Sequence, residues 1–268
     1  MHFIRGEHRD AQIYADRVSD ISLHAASPYV AGYANLCNAL LVIITQPNDT
    51  REGCAIDEAI ALCDLREQGV HRGLRRHGLI ARLFRCLHEA SLHEKSVSTI
   101  EDLLSEARKS AGQSVDDNLL VKAYEAHIRV MIGDIDSARG IAYTIIGEPA
   151  MKIPWHPAMR IVGGWCDIVE FGTAREAAIK LIQTGIAECE SMNHYIGMPL
   201  RKGMHADALR RLGRPEEARE IVVQQIEACQ ADYGEKIWLP PLETLRDVLA
   251  DPALAKNPPQ GFRGCFVR

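Results

Sequence analysis

The chain of 268 residues is predicted to be all-α, a right-handed superhelix built from antiparallel pairs of helices. The first observation behind this prediction is a recurring phrase of glycine, four mostly polar residues and alanine, which begins at Gly6, Gly133, Gly172 and Gly213. The last three copies are 39 and 41 residues apart, and a fixed period near 40 is typical of helical-repeat arrays. The second observation is composition. Aromatic residues make up only 6% of the chain, and Ala, Leu, Ile, Glu and Arg are abundant, which favours helices.

The glycine and the alanine of this phrase have separate structural roles. A glycine just past a helix adopts the left-handed conformation and ends the helix without a Cβ clash. The alanine five residues later falls inside the next helix, where a small side chain allows close helix packing. Asp134, Thr173 and Pro215 are therefore predicted to begin the second helix of their pairs. Acidic residues in these first turns complement the positive end of the helix dipole.

Apolar residues at helical spacing, interrupted by turn residues, predict the helices in order along the chain. The first covers residues 7–24, and the second runs from Ser27-Pro28 to the turn at Pro47. The remaining predicted helices are 50–66, 70–91, 95–110, 116–132, 134–147, 155–171, 173–191, 195–212, 214–232 and about 235–250. We expect residues 1–250 to form one helical-repeat domain. The proline-rich residues 251–268 are expected to be poorly ordered.

The beginning of the chain predicts an incomplete first repeat. Residues 2–6 have the character of the last turn of a helix whose other turns are missing. The helix at 7–24 would then lack its usual packing partner, which leaves Ile13, Val18 and Ile21 partly uncovered. An exposed apolar strip tends to be covered by another chain. We therefore expect either self-association through residues 3–24 or fraying of that segment.

The overall charge and hydropathy exclude several classes of partner. A net charge of −5 argues against a general nucleic-acid binder, for which a basic face would be expected. The strongest apolar run, Ala39–Ile44, is far shorter than the roughly 20 residues of a membrane helix. No secretion signal is visible. The sequence thus predicts a cytoplasmic protein that binds neither nucleic acid nor membrane.

The sequence offers no convincing metal, cofactor or catalytic set. His88 and His93 are five residues apart, which turns them about 140° from each other on a helix and spoils the zinc spacing. Asp134 and Asp136 resemble the start of a calcium loop, but Arg139 stands where that loop needs glycine. The eight cysteines form no C-x-x-C pair, and we expect reduced, inert thiols. No nucleophile and base are brought together by the sequence, so we expect a protein that is not an enzyme.

The best candidate for a binding surface is a cationic ridge made of Arg75, Arg82 and Arg85. No acidic residue occurs between positions 69 and 88, and on a helix these arginines project away from the apolar side around Leu79 and Leu83. Such a ridge suits an acidic partner surface or a phosphate-bearing ligand. An ordinary solvated helix face is the alternative.

A second candidate lies at a turn between repeats, where Trp155 is followed by Arg160. Tryptophan and arginine are enriched among binding hot spots. A structural plug between adjacent repeats is the alternative for this pair. Nearby, Gly163-Gly164 beside Trp165 indicates close helix packing rather than a nucleotide loop.

Residues 155–246 also carry a resemblance to a known arrangement. Its motifs are Trp155 with Trp165, Thr184-Gly185-Ile186, His194-Tyr195, Gly213-Arg-Pro-Glu-Glu-Ala218, Gly234-Glu-Lys-Ile-Trp238 and Leu242-Glu243-Thr-Leu245-Arg246. This stretch resembles the C-terminal tetratricopeptide-like repeat region of large bacterial signalling ATPases. Two groups share that region: proteins with a class III adenylate or guanylate cyclase domain, and LuxR-type regulators like the maltose activator. Pro240-Pro241 departs from the family, in which this helix usually runs unbroken.

The resemblance implies a superhelix that senses a ligand or docks a protein partner. This chain has no G-x-x-x-x-G-K-[ST] phosphate loop, so we expect no ATPase module in it. We therefore expect a scaffold or sensor module that binds a protein or small ligand on its concave face, standing alone or derived from a larger protein. The alternative is a regulatory fragment of a transcriptional regulator or nucleotide cyclase system that acts through a separate effector chain.

Overall fold

The computed structural model of the chain is all-helical wherever it describes the residues, and those residues contain no β-strand. The described ranges are 5–25, 28–46, 56–57, 60–61, 75–92, 97–148, 155–171 and 175–256. The all-α prediction is therefore confirmed. The chain divides into two compact units, Met1–Val121 and Lys122–Arg268. Because an array of helix pairs can divide in this way within one domain, the single domain over 1–250 stays a prediction.

The first unit is built from helices that pack against their neighbours along the chain. Its helices are α1 (His8–Ala25), α2 (Pro28–Thr45), α3 (Arg75–Leu92), α4 (Val97–Ala111) and the first residues of α5 (Val115–Met131). In this unit α1 packs against α2, α2 against α3 and α3 against α4. Leu36, Leu83 and Leu104 are among the fully buried core residues. Most of the predicted helix at 50–66 lies outside the described residues.

In the second unit, too, helices pack against their neighbours along the chain, and one helix also contacts the helices two places before and after it. Its helices are the rest of α5, α6 (Ile135–Ile146), α7 (Trp155–Phe171), α8 (Arg175–Ser191), α9 (Met198–Arg211), α10 (Pro215–Gln230), a 3-10 helix (Lys236–Trp238), α11 (Leu239–Ala250) and α12 (Ala253–Lys256). Consecutive helices from α6 to α11 pack together, and α9 also packs against α7 and α11. This is the local contact pattern of stacked helix pairs.

The end of the second unit differs from the sequence expectation in two details. Pro240-Pro241 does not interrupt a helix, because the prolines lie in the first turn of α11, where the missing N–H groups need no helical partner. Of the tail expected to be poorly ordered, Ala253–Lys256 forms α12, and residues 257–268 lie outside the described residues.

Two glycines of the recurring phrase, Gly133 and Gly213, end helices as predicted. Gly133 has φ +78°, and it closes α5 with a pair of backbone bonds. The N–H of Asp134 donates to the carbonyl of Arg129 over 2.8 Å, and that of Gly133 donates to Val130 over 3.0 Å. This pair of bonds is the Schellman motif. The end of α9 repeats it around Gly213, which also has φ +78°.

The left-handed conformation also occurs at Gly6 and at Asn193, so it is not confined to the glycines that end α5 and α9. Gly6, before α1, has φ +72°, whereas Gly172 lies outside the described residues. Asn193, which belongs to no copy of the phrase, has φ +53° and closes α8 with the same pair of backbone bonds. The cap therefore depends on backbone geometry, which asparagine also tolerates.

The alanine of the phrase behaves as predicted in two copies and not in a third. Ala138 and Ala218 are fully buried at the start of α6 and α10. Ala177 is exposed, and Ala178 is the buried residue instead. The reason is the contact with α7: a Cβ built on Gly164 would lie 2.8 Å from the carbonyl oxygen of Ala178. The close approach is therefore one residue later in α8 than the sequence predicted.

Helices α7 and α8 cross at two glycines, one from each helix. Besides Gly164 in α7, Gly185 in α8 has no room for a side chain, because a Cβ there would lie 2.5 Å from the carbonyl oxygen of Pro157. The prediction that Gly163-Gly164 serves close helix packing is confirmed at Gly164. This crossing fixes the start of α7, and with it the position of Trp155.

Candidate functional site

The predicted cationic ridge lies on α3 in the first unit, and two of its arginines, Arg82 and Arg85, are not fully exposed. Arg75 begins α3, but the surroundings of its side chain lie outside what the structure describes. Arg82 and Arg85 are half-buried, and Arg85 donates to a carboxylate oxygen of Asp57 over 2.6 Å. Part of the predicted positive charge is therefore neutralised within the unit. Leu79 is buried on the other side of the helix, as the amphipathic pattern predicted.

Trp155 begins α7 and packs between two other rings. Its ring centroid is 5.4 Å from that of Tyr124 on α5 and 5.3 Å from that of His194 in the α8–α9 loop, both in edge-to-face geometry. Trp155 itself is half-buried. These contacts connect three elements of the second unit, and they would serve the structural plug as well as the binding role.

Arg160 lies one and a half turns further along α7 and forms an ion pair with Glu188 of α8. The two side chains are 30% and 38% exposed. Ion pairs with this degree of exposure contribute little to stability. Arg160 therefore remains accessible, and its ion pair joins α7 to α8 rather than to the rings around Trp155.

The structure places a buried guanidinium next to those rings, which the sequence did not predict. Arg201, in the first turn of α9, is only 2% exposed. Its Nη1 donates over long distances, 3.5 Å to the carbonyl oxygen of His194 and 3.8 Å to Sγ of Cys189. Its Nε, also buried, has no hydrogen-bond partner among the described residues. Burial lowers the pKa of Arg201, and Cys189 and Glu235 act in the opposite direction.

The carboxylate that raises the pKa of Arg201 is hydrogen-bonded to other groups. Glu235 is 6% exposed, and its carboxylate accepts the backbone N–H of Gly197 over 2.8 Å and Nε1–H of Trp238 over 2.7 Å. Within the described residues, no carboxylate lies at ion-pair distance from Arg201. A buried charge without a close counter-charge is costly unless hydrogen bonds replace its hydration. Arg201 is thus the least compensated charge of this neighbourhood.

Tyr124 and His127 of α5 complete the surroundings of Arg201. Burial raises the pKa of the Tyr124 phenol, so that it stays protonated, and the positive charge of Arg201 opposes this rise. Burial lowers the pKa of His127 to about 4, and Arg201 lowers it further. His127 is therefore neutral near pH 7. Its Nδ1 lies 2.9 Å from the carbonyl oxygen of Ala123, which can only accept, so Nδ1 carries the proton and Nε2 is an acceptor.

Together these side chains form one group, which we name the Arg201 cluster. Its members are Tyr124, His127, Trp155, His194, Arg201 and Glu235. They come from α5, α7, α9 and the loops before α9 and the 3-10 helix. The cluster offers a cationic donor, a phenol, a neutral imidazole and ring edges. This chemistry suits the recognition of a polar, planar or anionic group.

Sequence reasoning found Trp155 and missed Arg201, although a signal was present. In the predicted helix at 195–212, Arg201 shares a face with Met204 and Ala208, both of which are buried. An arginine on the apolar stripe of a helix indicates a buried charge. Tyr124 and His127 had no comparable signal, because their importance comes from residues about 75 positions away in the chain.

An open cleft lies between α5 and α6. It is a cleft of about 340 Å³ lined by Lys122, Glu125, Arg129, Ser137, Gly140, Ile141 and Thr144. Arg129 is paired on both sides, with Glu125 at 3.3 Å and with Asp134 at 3.2 Å. Because Arg129 already has two carboxylates at ion-pair distance, the cleft has a weaker claim to an anionic ligand than the Arg201 cluster.

The thiols of the described cysteines are poorly suited to reaction. Cys86, Cys166, Cys189 and Cys229 are buried, and burial raises the pKa of each. In the part of the chain that the structure describes, no group of three His, Cys, Asp or Glu side chains is arranged to hold a metal ion. Among the helices described, none meets the length and hydropathy that a membrane-spanning segment requires.

Comparison of the chain with protein-family models, with curated proteins and with solved structures finds no match in any of the three. The resemblance to the repeat region of signalling ATPases therefore rests on the residues alone and stays a prediction.

Proposed function

We propose that the chain is a non-enzymatic scaffold or sensor module, a right-handed superhelix of helix pairs that binds a protein partner or small ligand on its concave face. The observation that carries this proposal is the convergence of α5, α7 and α9 on the Arg201 cluster. In an array of helix pairs, the first helices of successive pairs line one face. A group of aromatic and charged side chains on that face is a natural recognition surface.

Of the candidate partner-binding residues, only those on α7 belong to the surface on which this proposal rests. Trp155 and Arg160 lie on α7, at or beside the cluster, and we retain them as contact residues. The ridge of Arg75, Arg82 and Arg85 belongs to the first unit, and it stays a prediction for an acidic partner surface. The resemblance favours a role in bacterial signalling in the cytoplasm. Action through a separate effector chain, in transcriptional or cyclase regulation, is the alternative form of the same proposal.

Partner capture with matched variants tests the proposal. Immobilised wild-type chain should retain a partner from an extract, and the purified partner should then bind the chain in solution. Trp155→Ala and Arg160→Glu should weaken that binding about tenfold or more, as hot-spot substitutions do. Arg246→Glu is the control, because Arg246 is exposed and paired only with its neighbour Asp247.

Two outcomes would count against the proposal. One is equal binding of the partner by all three variants and the wild type. The other is catalysis: hydrolysis of ATP or formation of a cyclic nucleotide by the purified chain would make it an enzyme rather than a binding module.

A further inference from the structure

Arg201 and Asp207 lie on the same helix, and both are buried, but only one has its charge matched. Asp207, with no exposed surface, accepts hydrogen bonds from Trp165, Arg210 and Arg211 over 2.8 to 2.9 Å. Arg201 instead has two long contacts through Nη1, and its Nε has no partner in the described part of the chain. The second unit can therefore neutralise a buried charge, and it has not done so at Arg201.

The unpartnered atom lies on the edge of the guanidinium that recognises anions. Nε and the adjacent Nη2 of an arginine donate two parallel hydrogen bonds to a carboxylate or phosphate. Nη1, which is on the other edge, makes the long contact of 3.5 Å to the carbonyl oxygen of His194. Gly197 lies beside Nη2, since a Cβ built on Gly197 would be in van der Waals contact with that nitrogen, at 3.9 Å.

The neighbours of Arg201 suit the remainder of such a ligand. Tyr124, His127 and Trp155 are half-buried, so each keeps a part of its surface accessible although the guanidinium itself is covered. They present ring surfaces and hydrogen-bonding atoms from α5 and α7, each of which is the first helix of its pair. Glu235 is held by Gly197 and Trp238, so its carboxylate is kept from pairing directly with Arg201.

We propose that the Arg201 cluster is a binding site for a small organic anion, in which Arg201 pairs with the carboxylate or phosphate of a ligand that also carries a planar ring. The ring lies against Trp155 and Tyr124, and the anionic group supplies the counter-charge of Arg201. This inference deepens the proposed function, on which it rests, by naming the ligand class of the concave face.

The test uses the full chain and two probes, benzoate for the carboxylate and phenyl phosphate for the phosphate. Benzyl alcohol is the neutral match, and acetate and inorganic phosphate lack the ring. At least one aromatic anion should raise the melting temperature in a dose-dependent way and should bind in calorimetry. Arg201→Met should weaken this binding about tenfold to a hundredfold, as expected for hydrogen bonds to a charged group. Arg201→Lys keeps the charge without the planar edge, and its affinity for the aromatic anion should lie between those of the wild type and Arg201→Met.

Arg246→Met is the matched control, and it should bind as the wild type does, because Arg246 is an exposed arginine of the same unit. If Arg201→Met fails to fold, hydrogen exchange of the wild type decides instead: the aromatic anion should protect backbone amides at 194–205. The proposal is overturned if no aromatic anion binds, if benzyl alcohol binds equally well, if binding survives in Arg201→Met, or if protection appears elsewhere. Retained partner binding in that case would leave the proposed function intact.

Discussion

At the scale of single residues, Asp207 is the most firmly held charge that the structure describes. Its carboxylate accepts Nε1–H of Trp165, and both Arg210 and Arg211 donate to it from the next turn of α9. Because these three donors are held against one buried carboxylate, each of them would lose its acceptor if the carboxylate were removed. Removing one partner of a buried ionic network leaves the other charges desolvated and uncompensated, which costs more than the network gains.

Asp207→Asn should therefore destabilise the chain by about 3 kcal/mol, because the two arginines lose their counter-charge. Asp247→Asn is the control, since Asp247 forms an exposed pair with Arg246 and should change stability by less than about 0.5 kcal/mol. Urea denaturation followed by circular dichroism measures both. Equal effects of the two substitutions would show that the network around Asp207 is not stabilising.

At the scale of helices, the crossing of α7 and α8 depends on glycines that leave no room for a methyl group. Not every glycine has this role. Gly140 lies within α6, where a Cβ would meet nothing within 4 Å. Substitution of glycine by alanine should therefore lower the stability of the chain at the helix crossing and raise it at Gly140. In an unhindered helix, glycine only adds to the conformational entropy that folding loses.

Gly185→Ala should destabilise the chain by about 2 kcal/mol, because the new methyl group would push against the backbone of Pro157. Gly140→Ala should instead stabilise it by about 0.5 to 1 kcal/mol through helix propensity. Thermal melts of the two variants beside the wild type are sufficient. A neutral Gly185→Ala would mean that α7 and α8 can separate at little cost.

The helices illustrate what could be predicted from the sequence and what could not. The bounds of α7 were predicted to the residue, and those of α4, α6 and α10 to within two residues, because apolar spacing and capping glycines are local signals. The exposed Ala177 was mispredicted, since only the contact with Gly164 decides which alanine is buried. The Arg201 cluster joins α5 to α9, and no local pattern reports which residues meet across such a distance.

At the scale of the whole molecule, α1 carries an apolar strip that the rest of its unit leaves uncovered. Ile13, Tyr14 and Ile21 are 43%, 51% and 59% exposed, and Val18 is half-buried. The predicted partial exposure of Ile13, Val18 and Ile21 is confirmed. Self-association through this segment stays a prediction, with a second copy of the chain as the expected cover.

Light scattering of the purified chain at micromolar concentration should show a mass above that of the monomer. Ile13→Ser with Ile21→Ser should return the mass to that of the monomer, because the apolar strip is removed while the buried side of α1 is unchanged. Val223→Ser, at a single exposed apolar residue of α10, should leave the association unaltered. A monomeric wild type would exclude self-association through α1.

The Schellman motif at the ends of α5 and α9 makes each junction a connector of fixed length. The chain passes from one helix to the next through three residues: the residue that ends the first helix, the left-handed glycine and the residue that caps the second helix. One inserted residue would rotate the following helix by about 100° and advance it by about 1.5 Å. Its apolar side would then turn toward water. At these junctions the left-handed glycine is therefore constrained, and an insertion or deletion of one residue would misplace the apolar side of the helix that follows.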